Sequence, residues 1–332
     1  MATIYDVARK AEVSTATVSA VINRTAYVSP ELTVRVKQAI KDLDYTPNHL
    51  ARAMQTRTTR TIGMLIPDTG NPDPFYGEVV RGAEDVLRKK GYLLILGHTY
   101  NRVEEQSRYL SAFRSRLVDG VLLFQAAGMD EELERMLSHH APVVFVGRVP
   151  ERTDVDIVAT DIEHGTRLGT KHLLERGHRR VGLITVGSSM SVASFRLEGW
   201  RKAHAAARLS ADPALCAVGD FSVESGRAAM QRLLDLSEPP TALFIDNLVI
   251  ATGVIHALRE RSLECPGDVE IVSSDDAEWL DVFDPPITTI VQPSYELGAK
   301  SAEVLLKRIR HPRRPAESLF LKPSLKIRDR SR

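Results

Sequence analysis

The chain has 332 residues, of which 43% are hydrophobic, and its formal net charge at pH 7 is only +1. This length suits a small module followed by a two-lobed body, and the hydrophobic fraction is that of an ordinary globular protein. No run of 18 apolar residues and no secretory leader pattern is present, so we expect neither a transmembrane helix nor secretion. The two cysteines, Cys216 and Cys265, lie far apart and predict reduced thiols in a cytoplasmic protein.

The charge is distributed unevenly along the chain. Residues 1–60 carry nine Lys and Arg against five Asp and Glu, a net charge of +4. The remainder carries 35 basic and 38 acidic residues, a net charge of −3. A basic segment at one end places positive charge where a phosphate backbone would be met, so the pattern favours a nucleic-acid-binding N-terminal domain.

The first 45 residues predict three helices. Thr3 caps the first helix, with Asp6 at its third position, and Ser14 begins the second helix. Ser29-Pro30-Glu31 is typical of the start of a third helix. The outer side of the second helix carries only small residues, which lets a helix lie deep in a groove: Thr15, Ala16, Ser19 and Ala20. Two short helices joined by a tight turn predict a DNA-reading helix-turn-helix, with a helical hairpin that binds nothing as the alternative.

The stretch after the third helix predicts a linker between two domains. Tyr45-Thr46-Pro47-Asn48 ends the helical segment, because the residue before a proline is disfavoured in helical space. Residues 49–56 are good helix formers, but a helix of this length is marginal alone. We therefore expect a headpiece over residues 1–47 and a hinge helix with a linker over residues 48–60.

From residue 61 onward, apolar runs alternate with amphipathic helical stretches, which predicts an α/β fold of doubly wound parallel sheets. The predicted strands are Ile62–Ile66, Leu93–Leu96, Val121–Phe124, Val143–Val146, Ile157–Thr160, Val181–Val186, Ala242–Ile245, Glu270–Ser273 and Thr288–Val291. The predicted helices cover about 75–90, 103–116, 130–138, 163–176, 192–208, 222–236, 247–262 and 294–310. We expect two lobes in this core, one of about 61–161 and 292–320, the other of about 162–291 and 321–332. A ligand would bind where the carboxyl ends of the strands face each other across a cleft.

An ordered set of motifs over nearly the whole chain resembles the lactose-repressor/galactose-repressor family of bacterial transcription factors. The motifs are Asp6-Val7-Ala8, Val13-Ser14, Thr17-Val18-Ser19, Val21-Ile22-Asn23, Tyr45-x-Pro-Asn48 with Ala51-Arg52, Ile62 to Pro67, Gly177-His178-Arg179, Arg196-x-x-Gly199, Thr288-Thr289-Ile290, Gln292-Pro293 and Glu296-Leu297-Gly298. The resemblance implies a helix-turn-helix headpiece, a hinge helix and a body like the type I periplasmic sugar-binding proteins. It also implies a homodimeric repressor that binds a near-palindromic operator in double-stranded DNA and answers to a small effector. The final residues carry no leucine heptad of the kind that makes some family members tetramers, so a dimer is expected. The resemblance also implies a location in the cytoplasm, associated with the nucleoid.

The same resemblance implies which residues meet DNA. Thr15, Ala16 and Ala20 fall on base-reading positions, where alanine contacts thymine methyl groups but makes no bidentate hydrogen bond. Tyr5 and Asn23 fall where phosphates are met, and Met54 replaces the leucine that wedges into a minor-groove step. The full predicted DNA-binding set is Thr3, Tyr5, Ser14, Thr15, Ala16, Thr17, Ala20, Asn23, Asn48, Ala51 and Met54.

The resemblance also implies an effector pocket between the lobes. The effector-binding residues that it implies are Phe75, Tyr76, Arg196, Phe221, Asn247 and Asp275. Arg148 and Asp161 are further candidates because they follow the predicted strands Val143–Val146 and Ile157–Thr160. Arginine and aspartate side chains offer donors and acceptors to vicinal hydroxyls or a carboxylate, while aromatic faces cover the C–H surface of a ring. Met190 and Val192 stand where purine-responsive members carry polar contacts, which favours a sugar or sugar derivative. A protein corepressor or another metabolite remains the alternative effector.

Two other classes of protein compete with this interpretation. An α/β enzyme is disfavoured because G-x-G-x-x-G, G-x-x-x-x-G-K-[ST] and G-x-S-x-G are all missing from the sequence. The ten histidines include no H-E-x-x-H, and we expect neither a metal nor a cofactor. A secreted solute-binding protein would explain the body but not the basic headpiece.

Overall fold

The computed structural model describes residues 2–23, 26–45, 58–67, 74–126, 128, 130–150, 152–187, 191–282, 284 and 286–328. By their internal contacts these residues form two compact units, one up to Thr59 and one from Arg60 onward. In the described residues no helix is both long enough and apolar enough to cross a membrane.

The N-terminal unit contains the three predicted helices, α1 (Ile4–Ala11), α2 (Thr15–Asn23) and α3 (Pro30–Asp42). Thr3 and Asp6 form a reciprocal capping box, in which each side chain accepts a hydrogen bond from the backbone N–H of the other residue. Ser14 Oγ accepts from the Thr17 N–H at 3.1 Å, and Ser29 Oγ accepts from the Leu32 N–H at 3.4 Å. The core is formed by small and β-branched side chains from all three helices: Val7, Ala8, Ala11, Val18, Val36 and Ala39.

The second unit alternates strands and helices as the sequence predicts. Its strands are β1 (Thr61–Ile66), β2 (Leu93–His98), β3 (Gly120–Leu123), β4 (Val143–Val146), β5 (Asp156–Thr160), β6 (Val181–Val186), β7 (Cys216–Gly219), β8 (Ala242–Ile245), β9 (Glu270–Ser274), β10 (Thr288–Val291), β11 (Ser318–Leu321) and β12 (Ser324–Lys326). Its helices are α4 (Pro74–Lys89), α5 (Val103–Ala112), α6 (Glu131–Ser138), α7 (Ile162–Glu175), α8 (Ser191–Ala206), α9 (Val223–Leu234), α10 (Leu248–Glu260) and α11 (Ser294–Arg310). A π-helical turn, Phe113–Leu117, continues α5.

The strands form two six-stranded sheets. The order is β11-β5-β4-β3-β1-β2 in the first sheet and β12-β10-β9-β8-β6-β7 in the second. All pairs are parallel except β10 with β12, which is antiparallel. The chain passes between the sheets after β5, after β10 and after β11, so three connections join the two lobes.

Helices cover both faces of each sheet, which is the doubly wound arrangement that the sequence predicts. In the first sheet, Met64 faces the layer of α4 and α11, whereas its neighbour Leu65 faces the layer of α5 and α6. In the second sheet, Ile245 belongs to the layer of α9 and α10, and Phe244 to that of α7 and α8. Alternate residues of these strands are therefore buried on opposite faces, which explains their continuous apolar runs.

Three strands, β7, β11 and β12, were missed in the sequence. Each lies at the edge of its sheet. An edge strand pairs on one side only and is less enclosed, so its sequence lacks the continuous apolar run that marks a central parallel strand. The exposure of Phe320 in β11 and Val218 in β7 agrees with that reason.

Candidate functional site

The exposed side of α2 carries the predicted base-reading residues. Ala16 is exposed, and Thr15 and Ala20 are partly exposed, whereas Val18 on the opposite side is fully buried. Asn23 Nδ2 donates to Ser19 Oγ at 3.1 Å, which holds the Asn23 side chain along the helix. The helix therefore presents small side chains on one side, as an insertion into the major groove requires.

Other predicted DNA-binding residues hold the headpiece together or lie at its surface. Thr3 and Ser14 cap helices, and the Ser14 and Thr17 hydroxyls lie 2.9 Å apart. Tyr5 is largely exposed, which suits a phosphate contact better than a core position. Tyr27, 91% exposed in the loop before α3, is a surface aromatic that the sequence analysis did not select. Asn48, Ala51 and Met54 lie outside the described residues.

A pocket lies where the carboxyl ends of the two sheets meet, and it gathers seven of the eight predicted effector residues. Its volume is about 70 Å³. The lining residues are Phe75, Tyr76, Phe124, Gly147, Arg148, Ile162, Val192, Arg196, Phe221, Asp246, Asn247, Asp275 and Gln292. Arg148, Phe221, Asn247 and Asp275 each follow the end of a strand, β4, β7, β8 and β9 respectively. The position is therefore the one that the fold class predicts.

Asp161 is the predicted residue that does not line this pocket. It lies at the junction of β5 and α7, where its carboxylate accepts a hydrogen bond of 3.0 Å from the His164 N–H. The side chain therefore acts as an N-cap, a common role for aspartate at the start of a helix. Its position after a strand led the sequence analysis to place it in the pocket, but the cap orients it along α7.

A buried ion pair forms one wall of the pocket. Arg196 Nη2 lies 2.7 Å from Asp246 Oδ1, and both side chains are almost fully buried. The other Asp246 oxygen accepts hydrogen bonds of 3.0 Å from Thr185 Oγ1 and from the Val186 N–H. Asp246 is therefore fully engaged by protein donors, and it fixes the orientation of the Arg196 guanidinium.

Two buried donors in this wall have no acceptor within the described part of the chain. These are Arg196 Nε and Asn247 Nδ2, whereas Asn247 Oδ1 caps α10 by accepting from the Ile250 N–H at 2.9 Å. Buried donors are normally satisfied, since leaving one without a partner costs about 1–3 kcal/mol. A ligand with hydroxyl or carboxylate oxygens would supply the acceptors that these two donors lack.

Arg148 and Asp275 bring opposite charges to the cavity. Arg148 is buried after β4, and that burial lowers the pKa of its guanidinium from the ordinary value. Asp275 has a positive φ of 69°, which is uncommon for a residue with a side chain, and its Oδ1 accepts from Gln292 Nε2 at 2.7 Å. Gln292 lies at the second connection between the lobes, so the acid is tied to a segment that joins them.

Aromatic rings cover one side of the pocket. Phe75 and Tyr76 meet edge to face with centroids 5.2 Å apart, and Phe124 completes the cluster at 5.4 Å from Tyr76. Edge-to-face packing fixes the rings and leaves apolar ring surface facing the cavity. A neighbouring groove of about 940 Å³ shares Phe75, Asp275 and Gln292 with the pocket.

Several lining residues were not selected from the sequence: Phe124, Gly147, Ile162, Asp246 and Gln292. Asp246 and Phe124 directly follow β8 and β3, so the rule that ligands bind at strand ends was the available signal for both. Gln292 had been noted only as part of a family motif. Among the described residues, no cluster of three or more His, Cys, Asp or Glu side chains is placed to hold a metal ion.

A helix-turn-helix unit in one chain with a two-lobed body and a polar cleft defines the class of ligand-responsive DNA-binding regulators. Residues 3–48 match the model described as bacterial regulatory proteins, lacI family, and residues 170–330 match the periplasmic binding protein-like domain. The chain belongs to the lacI family of bacterial regulatory proteins, and the resemblance seen in the sequence is confirmed.

Relatives and solved structures agree with this assignment. The chain is 38% identical to the HTH-type transcriptional repressor PurR of Aliivibrio fischeri (strain MJ11), over 96% of this chain and 95% of the relative. It is also 38% identical to the ribose operon repressor of Escherichia coli (strain K12), over 98% of each chain. The structure of the Lac repressor dimer bound to operator and the anti-inducer ONPF superposes with a TM-score of 0.86 at 27% identity, covering 98% of this chain and 97% of that one. The protein is thus a DNA-binding transcriptional regulator of a repressor family and not an enzyme.

Proposed function

We propose that the protein represses transcription as a homodimer on a near-palindromic operator, with its operator affinity set by a monosaccharide in the cleft. The observation that carries the proposal is the convergence of two arginines, two aspartates, an asparagine and a group of aromatic rings on one pocket. Their chemistry matches a small polyhydroxylated ring, because charged and amide groups bind hydroxyls while aromatic faces cover C–H surface.

The size of the pocket favours a small effector. A volume of about 70 Å³ holds only a few water molecules, at about 10–15 Å³ for each, so a compact ligand suits it better than a disaccharide. The ribose operon repressor among the relatives makes D-ribose the first sugar to test.

The test is a thermal-shift screen of the full-length protein with D-ribose, other pentoses, hexoses and their acids. A ligand that binds only the folded state raises its stability, by about 2.7 kcal/mol when present at a hundredfold excess over Kd. We expect one monosaccharide to raise the unfolding temperature and to change operator affinity at the same concentration. A screen in which no sugar shifts the unfolding temperature would contradict the proposed effector class.

A purine base is the second candidate for the effector. It is favoured by relatives named PurR, which match this chain as closely as the ribose operon repressor does. Val192 at the pocket supports the sugar instead, because the family resemblance places a polar contact at this position in purine-responsive members. Hypoxanthine and guanine in the same screen separate the two candidates.

The proposed homodimer is supported by apolar side chains exposed at one edge of the body. Leu93, Ile95 and Leu96 on the edge strand β2 remain exposed, and Leu93 is 72% exposed. Val218 is exposed on β7, the corresponding edge strand of the second sheet. Large apolar side chains exposed on edge strands are typical of a protein interface, and a second copy would cover them.

The proposed contacts with DNA follow the family pattern. Two headpieces related by two-fold symmetry would each insert α2 into the major groove of a half-site. Thr15, Ala16 and Ala20 would read bases, Tyr5 and Asn23 would bind phosphates, and Met54 would wedge into a minor-groove step. The proposal places the protein in the cytoplasm on the nucleoid, where the operator is.

A further inference from the structure

Asn101, in the turn after β2, binds a pocket residue although it does not line the pocket itself. Asn101 Oδ1 accepts a hydrogen bond of 2.7 Å from Arg148 Nη1, which also donates to the Gln125 carbonyl oxygen. Both acceptors are oxygen atoms, and together they fix the orientation of the guanidinium. Asn101 itself is not a lining residue, and it acts on the cavity only through Arg148.

The backbone of this turn is held in an unfavourable conformation. Tyr100 and Asn101 both have positive φ, 51° and 56°, and two successive residues with side chains in this region are unusual. Asparagine tolerates positive φ better than most residues do. The Arg102 N–H donates to the Thr99 carbonyl at 2.8 Å, and the Thr99 N–H donates to the Ile66 carbonyl at 2.9 Å. The turn is thus fastened to the end of β1, and its strain points to a functional constraint.

Burial makes the hydrogen bond from Arg148 important. The Arg148 side chain is buried, and a charged guanidinium in a low-dielectric setting depends on every acceptor that it has. We propose that Asn101 is a positioning residue for the effector, which holds the Arg148 guanidinium at the orientation in which it lines the cleft. The inference rests on the proposed function, since it concerns the same pocket.

Two substitutions separate the side-chain acceptor from the backbone conformation. Asn101→Gly permits positive φ but removes the acceptor, whereas Asn101→Asp tolerates positive φ and keeps an acceptor oxygen. With D-ribose as the probe in calorimetry, we expect Asn101→Gly to weaken binding tenfold or more, and Asn101→Asp to stay within about threefold of wild type. Operator affinity without D-ribose should be unchanged in both. Equal D-ribose affinity in Asn101→Gly and wild type would overturn the inference, and so would equal losses in the two variants.

A second measurement needs no effector. Phenylglyoxal modifies accessible arginines, and peptide mass spectrometry reports the rate at Arg148, with the exposed Arg9 as internal reference. We expect modification of Arg148 to be severalfold faster in Asn101→Gly than in wild type, and unchanged in Asn101→Asp. Equal rates in all three proteins would refute the positioning role. If wild type binds no D-ribose, the proposed effector fails, whereas the modification rates still decide the role of Asn101.

Discussion

Arg196 is held by a buried carboxylate, and this decides what its replacement does. Removing one partner of a buried ion pair leaves an uncompensated charge, at a cost of about 3–5 kcal/mol. Arg196→Ala would therefore lose stability together with effector binding, because Asp246 is left buried. Arg196→Lys keeps the positive charge but loses the planar guanidinium. In wild type that guanidinium pairs with Asp246 through Nη2 and presents Nε to a ligand.

We therefore expect Arg196→Lys to fold with an unfolding temperature within a few degrees of wild type, and to bind D-ribose at least tenfold more weakly. Calorimetry measures the affinity and differential scanning fluorimetry the stability. Arg201→Lys, an exposed position on the same helix α8, is the matched control and should bind as wild type. An Arg196→Lys variant with unchanged affinity would remove Arg196 from the effector site.

His204 gives the stability of the second lobe a dependence on pH. The side chain is buried against Trp200, with ring centroids 4.7 Å apart, and burial lowers its pKa below the ordinary 6.5. Below pH 6.5 the unfolded chain therefore takes up a proton that the folded chain resists. The free energy of unfolding should fall as pH drops below 6.5, by at most ~1.4 kcal/mol per pH unit from this one group.

Urea unfolding at pH 7.5, 6.5 and 5.5 measures this effect. His204→Phe keeps an aromatic ring without a titrating group, and should make the free energy of unfolding less dependent on pH than in wild type. His256→Gln replaces an exposed histidine and should leave the dependence as it is. If the stability of His204→Phe depends on pH as strongly as that of wild type and of His256→Gln, the buried imidazole of His204 is not the source of the dependence.

At the scale of elements, the central strands could be predicted from the sequence, whereas three of the four edge strands of the two sheets could not. The fourth edge strand, β2, contains an apolar run, Leu93–Leu96, and was predicted. β3, β4 and β8 are buried on both faces and read as short apolar runs, so their bounds were close to those observed. β12 has only three residues, and it is defined by antiparallel pairing with β10, a contact between distant parts of the chain. Local sequence patterns do not predict such pairing, because it depends on the tertiary structure.

The candidate site could also be predicted only in part: the sequence identified most of the lining residues but not the contacts between their side chains. The strand-end rule and the family resemblance together brought seven lining residues to one place. Asp161 is not among the lining residues in the structure, where its carboxylate caps α7, a use that depends on the local backbone after β5. The pairing of Arg196 with Asp246, and of Arg148 with Asn101, depends on side-chain contacts between residues distant in sequence, which spacing does not reveal.

Helix packing in the first lobe depends on close backbone approach. A Cβ atom on Gly298 in α11 would overlap the Val79 carbonyl oxygen of α4, and one on Gly82 would overlap the Tyr295 carbonyl oxygen. Gly298→Ala must push the two helices apart, and we expect it to lower the free energy of unfolding by about 2 kcal/mol or more. Gly77→Ala, also in α4, meets nothing within 4 Å and should raise stability by roughly 0.5–1 kcal/mol. Urea unfolding tests both, and a Gly298→Ala protein as stable as wild type would contradict this packing.

For the whole molecule, the proposed homodimer depends on the exposed edge formed by β2. Leu93→Lys places a charge on this edge, and two-fold symmetry would bring two such charges into one interface. We expect the variant to sediment as a monomer at micromolar concentration, where wild type sediments as a dimer. Phe320→Lys is the matched control, since Phe320 is 49% exposed on β11 at the opposite edge of the same sheet. Loss of the dimer in Phe320→Lys but not in Leu93→Lys would place the interface at the other edge.

The most direct test of the whole account is selection of duplexes from a random DNA library by the full-length protein, with and without D-ribose. We expect strong enrichment of a near-palindromic sequence in one of the two conditions, and a change of at least fivefold in affinity for that sequence when D-ribose is added. Enrichment without any such change would leave the headpiece assignment intact and exclude D-ribose as the effector. Recovery of random duplexes alone, with the same affinity in both conditions, would contradict an effector-controlled reader of operator DNA.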